Sequence, residues 1–248
     1  MLEGDIGQEG RGRAVGYRET VRQWMKDIIE VLLTLSVILV VLRVLLGAKM
    51  LVPLVVVTTG SMVHYPGDSS WMLWLNERGI GNESIANMAM TGGFNVGDMI
   101  MVGRPDVYVG DIVIYERDLM YGGRGLEPII HRVVGIVYVS DGRVVGMNGT
   151  LDCYKMEDFA KYVKYVEICK EGRADCEYPS FPTGASYRFF LTKGDANDYA
   201  DQCIPGGNKI SMPVTDAQVP AKAVFRLPYV GWIKIALNVL IRILTLQF

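Results

Sequence analysis

The chain has 248 residues, enough for one large domain or two small ones with a real core. Its 25 Lys and Arg nearly balance 27 Asp and Glu, so the basic face of a nucleic-acid binder is not indicated. Apolar residues make up 50%, charged residues only 21%, and the mean hydropathy is positive, which excludes intrinsic disorder.

Ile28–Leu46 is a largely apolar run with only Glu30 and Arg43 charged, each close to an end. At 1.5 Å per residue this run spans roughly 28 Å, one hydrocarbon thickness, and predicts a transmembrane helix over 28–48. A buried core helix is the competing reading. Lys49-Met50-Leu51 is a poor small-residue cleavage site, so the segment does not read as a cleaved leader. Arg11, Arg13, Arg18, Arg22 and Lys26 precede the span, and only Lys49 follows it before Arg78. The positive-inside rule therefore predicts a cytoplasmic segment 1–27 and a domain beyond Leu51 on the outer side of the cell membrane.

Short β-branched runs punctuated by Gly-Asp and Asp-Gly pairs fill 49–228. Strands are expected at Leu54–Thr58, Asp98–Val102, Asp111–Tyr115, Ile129–Val139, Val144–Met147, Tyr187–Thr192 and Ala221–Leu227, and a helix at Met156–Glu167. The fold class is thus mostly β, a sandwich or barrel-like domain carrying insertions near 65–94 and 151–186. Trp71-Met72-Leu73-Trp74-Leu75, in the first insertion, reads as insertion core or as an interfacial aromatic anchor. In 229–248 an otherwise apolar run carries Lys234, Asn238, Arg242 and Thr245 at helical spacing. That pattern fits an amphipathic helix in the membrane interface, or a second span packed on another helix.

Three segments carry chemistry. Gly60-Ser61-Met62 ends the first strand, where a glycine lets the backbone turn beside a hydroxyl. His131, one of two histidines, lies in a β-forming run on the face opposite Ile130 and Arg132. Thr192-Lys193-Gly194-Asp195-Ala196-Asn197 leads to Asp201; by itself it reads as a solvated acidic loop or a calcium site.

With Gly97-Asp98, Gly110-Asp111-Ile112-Val113, Ile130-His131-Arg132-Val133 and Arg226-Leu227-Pro228-Tyr229-Val230-Gly231-Trp232, these boxes resemble the signal peptidase I family, archaeal and endoplasmic-reticulum type. The resemblance covers the chain from the span to Ile235. It implies a signal-peptidase-like β domain in which Ser61 is the nucleophile and His131, where bacterial members have lysine, the general base. By the same resemblance Asp201 orients the imidazole, Asp195 organises its turn, and the Ser61 amide with the Thr59 hydroxyl meets the oxyanion. The implied partners are signal-peptide-bearing preproteins and the lipid bilayer, with no metal or organic cofactor and with room for accessory subunits. Met62, Met99 and Met101 are assigned to the walls that read small substrate residues.

Four alternatives stand beside this. His64 competes as the base but has no evident orienting carboxylate, and Lys193 could form a Ser-Lys dyad. A catalytically inactive, membrane-tethered β domain that binds a protein partner or calcium is the reading from another class; a related protease with other substrates is the fourth. Cys153, Cys169, Cys176 and Cys203 lack metal-site spacing, and one or two disulfides stapling the second insertion are expected, their connectivity open.

Overall fold

In the computed structural model, which describes residues 6–47, 49–50, 52–121, 127–172, 176–207 and 209–245, an unbroken helix α1 runs Ile6–Leu46. Parts of the expected segments lie outside the described residues: 1–5 of segment 1–27, residue 48 of the transmembrane helix, 51, 122–126, 173–175 and 208 within 49–228, and 246–248 at the C-terminus. The chain divides between Leu45 and Leu46 into α1 and a folded unit.

Thr20–Leu46 is long and apolar enough to cross a membrane, and no residue of its apolar window is buried. Its 27 residues rise about 40 Å, more than the hydrocarbon thickness of about 30 Å. Two of its hydroxyls are satisfied within the helix: Thr34 Oγ1 donates to the Glu30 carbonyl and Ser36 Oγ to that of Leu32. Such internal pairing is what a helix needs where no water can bond to it.

The folded unit is built on one antiparallel sheet, with eight strands among the described residues. The strands are β1 Leu54–Val56, β2 Met99–Gly103, β3 Ile112–Tyr115, β4 Ile129–Ser140, β5 Arg143–Gly149, β6 Ser186–Lys193, β7 Val214–Thr215 and β8 Ala221–Leu227. Their order is β1-β2-β8-β3-β4-β6-β7, with β5 beside the far half of β4. Register shifts at Met101/Val102, Val133/Gly135 and Tyr138/Val139 bend the strands and curl the sheet. Gly135 lies at the second of these; a Cβ there would strike the Thr150 carbonyl, so only glycine lets the chain after β5 pass.

The content is mixed rather than mostly β. Helix α1 alone has 41 residues because it begins at Ile6 instead of near Ile28, whereas the longest strand, β4, has 12. The first insertion holds α2 Ser70–Glu77 and α3 Asn82–Ala86, and the second holds α4 Phe159–Lys170. Phe159, Val163 and Val166 recur at helical spacing and bury one face of α4 against Val137, Phe189 and Leu191 of the sheet. Trp71, Trp74 and Leu75 of α2 join the same cluster, so these three side chains are insertion core, while Leu73 is exposed. On the other side of the sheet Val113, Tyr115, Val133 and Phe190 pack inside the curl.

Two disulfides form. Cys169–Cys176 closes the end of α4, and Cys153–Cys203 ties the second insertion to the chain two residues after Asp201. At the C-terminus α5, Trp232–Thr245, exposes Ile233, Leu237, Leu240 and Ile241.

Candidate active site

Backbone pairing sets the site. Val57 continues the β1 ladder, exchanging bonds with Asp98 and Gly97, and the chain then turns through Gly60, whose carbonyl accepts from the Val63 N–H. Met62, 1% exposed, plugs this turn into the core formed with Phe94, Ile100 and Ile114. Ser61 is left at the bend. His131 stands on β4, opposite Val113 of β3. After β6 the chain loops back, so that the Asp201 N–H donates to the Thr192 carbonyl and the Ala196 N–H to the Ser61 carbonyl.

Three stretches far apart in sequence therefore meet. Ser61 Oγ lies 2.9 Å from His131 Nε2, and His131 Nδ1 lies 2.7 Å from Asp201 Oδ2. A carboxylate accepting at Oδ2 puts the imidazole proton on Nδ1 and leaves Nε2 free to accept the serine O–H. Asp201 is fully buried, and its Oδ2 also accepts from Tyr115 Oη at 2.9 Å and Thr192 Oγ1 at 2.6 Å. Burial, with Asp201 alongside, pushes the Tyr115 phenol well above its usual range, so it remains a donor. Sequence reasoning misses Tyr115 and Thr192. A signal exists for the first, since Val113 and Tyr115 share a strand face and Val113 pairs with His131.

Asp195 belongs to a separate cluster. Its carboxylate accepts from Arg132 Nε at 2.9 Å, Arg132 Nη2 at 2.6 Å and His64 Nε2 at 2.9 Å. Burial alone would raise its pKa, but the Arg132 charge, with the His64 and Arg132 hydrogen bonds, holds it below the usual value. His64 thus has a carboxylate partner, contrary to the expectation that it lacks one, and its Nε2 is bonded to Asp195, outside the Ser61–His131–Asp201 series. The acidic loop does not converge on a common point either, because Asp195 and Asp201 serve different bases.

Lys193 is nearly fully buried, and burial lowers its pKa to about 8 despite the nearby Asp195 and Asp201. Its Nζ donates to the Gly194 and Asp195 carbonyls instead of approaching Ser61. Alternation along β6 explains this: Thr192 faces Asp201, so Lys193 faces the opposite side, beside the Trp74 ring.

Ser61 and His131 open onto a cleft of about 420 Å3, walled by 54–59 on one side and by 127–130 on the other. Thr58 Oγ1 donates across it to Glu127 Oε2 at 2.9 Å. Thr59 Oγ1 lies 3.5 Å from Ser61 Oγ, and Met62 reaches the cleft floor. Met99 and Met101, expected as walls, are not among its lining residues. The sheet order puts β1 at the edge bordering the cleft and β2 behind it. Compared with known proteins, the chain matches no family model and no curated sequence.

Proposed function

We propose that this protein is a membrane-anchored serine endopeptidase that removes signal peptides from exported preproteins. The observation that carries the reading is the unbroken series from Ser61 Oγ through the His131 ring to Asp201 Oδ2, with links of 2.9 and 2.7 Å. As Ser61 attacks the scissile carbonyl, its proton passes to His131 Nε2. Asp201 stabilises the imidazolium, which then returns that proton to the leaving amine. Water, deprotonated by the same nitrogen, releases the acyl group from Ser61. The Ser61 N–H and the Thr59 hydroxyl are the donors assigned to the oxyanion. The substrate is an extended segment running along the free edge of β1, taking the place of the Thr58–Glu127 bond.

The basic residues before α1's apolar stretch support a cytoplasmic N-terminus and an outward catalytic unit. Lys234, Asn238 and Arg242 recur at helical spacing along α5 beside the exposed Ile233, Leu237, Leu240 and Ile241, which supports an interfacial position.

The test is to incubate the protein, purified in detergent, with a preprotein and sequence the new N-terminus. A single cut after a small residue at the end of the apolar leader is expected. No cut, or cuts unrelated to such a site, would overturn the reading.

Gly194 offers a second check. A Cβ there would stand 2.8 Å from His131 Nε2, 2.8 Å from the Ser61 carbonyl and 2.6 Å from Asn197 Nδ2. The carbonyl belongs to a held turn and cannot retreat, so Gly194→Ala is expected to part His131 from Ser61 and lower kcat by about 100-fold. A Gly194→Ala enzyme cutting at the native rate would show that the contact tolerates opening.

A further inference from the structure

We propose that α2, the helix of the first insertion, braces the catalytic centre through His64, making His64 and Trp71 positioning residues; this rests on the proposed serine chemistry. Trp71 and Trp74 are three residues apart on one face of α2 and are 5% and 8% exposed. The Trp71 indole stacks on His64, with ring centroids 4.9 Å apart and planes 21° apart. The Arg132 guanidinium lies 4.9 Å from the same indole. Trp74 has the Lys193 ammonium 5.0 Å from its ring. Each cation is one residue from the catalytic pair or its lining: Arg132 follows His131, and Lys193 precedes Gly194, where an added Cβ would lie 2.8 Å from both His131 Nε2 and the Ser61 carbonyl.

Asp195 completes the brace. It binds the turn after Ser61 through His64 and the base strand through Arg132, while standing on the loop that leads to Asp201. All three reactive segments are thereby tied to one buried carboxylate, with Trp71 covering the tie. Besides the apolar neighbours that α2 shares with the core, its indole faces meet desolvated cations, a directional contact that resists sliding. His64 lies three residues from Ser61, so a shift of its ring is passed along a short tether to the nucleophile.

The experiment compares His64→Leu with His64→Gln, and Trp71→Leu with Trp71→Phe, in the full chain in detergent. Glutamine keeps an N–H near the place of Nε2, and phenylalanine keeps a ring. Three quantities are read: the rate at which a small fluorophosphonate modifies Ser61, kcat and KM on a preprotein, and the thermal midpoint. The leucine variants are expected to slow both Ser61 modification and kcat about tenfold with KM unchanged, and the glutamine and phenylalanine variants to restore most of the rate. Leucine variants that react at the native rate, whatever their thermal midpoint, would overturn the brace, as would glutamine and leucine slowing the enzyme equally. If Ser61 reacts with the probe but no preprotein is cut, the substrate reading fails while the brace is judged on modification rates alone. If Ser61 in the native protein does not react, both readings fall together.

Discussion

Ser61→Ala is expected to give a folded protein with no measurable turnover, and His131→Lys a nearly equal loss. The turn at Ser61 is held by backbone bonds, Ala196 N–H to the Ser61 carbonyl and Val63 N–H to that of Gly60, which alanine keeps. Only the hydroxyl beside His131 Nε2 disappears. In serine proteases the loss of nucleophile or base alone costs about a millionfold in kcat, because the group acts as a unit. Lysine in place of His131 fails for a different reason. Its ammonium would stand beside buried Asp201, Tyr115 and Thr192, and a carboxylate 2.7 Å from the present ring nitrogen would favour the charged form. A base held protonated has no lone pair for the serine proton. Initial rates of preprotein cleavage, beside circular dichroism to establish folding, decide the matter. Cleavage retained by the Ser61→Ala protein would move the nucleophile elsewhere, and a native rate in the His131→Lys protein would undo the His base.

Much of the sheet is legible in local pattern. Ala221–Leu227 forms a strand over its whole expected length, and Ile129–Val139 extends by one residue to Ser140. Ile129–Ser140 is a β-branched, largely buried run where propensity and burial agree, and Ala221–Leu227 is bounded by Pro220 and Pro228. The two-residue β7 escapes because Val214-Thr215 is too short to show a period, and only its register against Phe189 and Phe190 makes it a strand. Helix α2 escapes for another reason. Trp71, Trp74 and Leu75 stand at i, i+3 and i+4, a helical signal, but five residues of greasy sequence also suit a membrane anchor. What separates the two is burial against β4 and β6, a long-range fact.

In the site, the spacing of boxes places Ser61, His131 and Asp201 only as separate elements. Their joining depends on the curl of the sheet and the return of the chain after β6, neither of which has a local signature. Partner choice is still less legible. Asp195 and Asp201 stand in the same loop, six residues apart, yet one faces Arg132 and His64 and the other His131. A strand reverses its face at every residue, so Arg132 and His131, adjacent in sequence, address different carboxylates.

That division predicts opposite failures for the two acids. Asp201→Asn is expected to lower kcat about 10,000-fold with KM little changed, as happens where an amide replaces the acid that fixes the base's tautomer. An asparagine in place of Asp201 can turn an N–H toward His131 Nδ1, which drives the ring proton to Nε2, where it blocks acceptance from Ser61. Asp195→Asn instead leaves Arg132, 1% exposed, without its carboxylate, and breaking such a buried pair costs about 3–5 kcal/mol of stability. The pH dependence separates them further. Because the folded-state pKa of Asp195 lies below 3.8, its contribution is fully present above that value and is lost as the pH falls through the folded pKa. The Asp195→Asn protein should therefore unfold more easily at neutral pH, and its stability should fall less steeply in acid than that of the native chain. Denaturant unfolding from pH 7 down to acid, set beside kcat at pH 7, reads both effects. A catalytic collapse on changing Asp195 with normal stability, together with a mild change on altering Asp201, would exchange the roles of the two carboxylates.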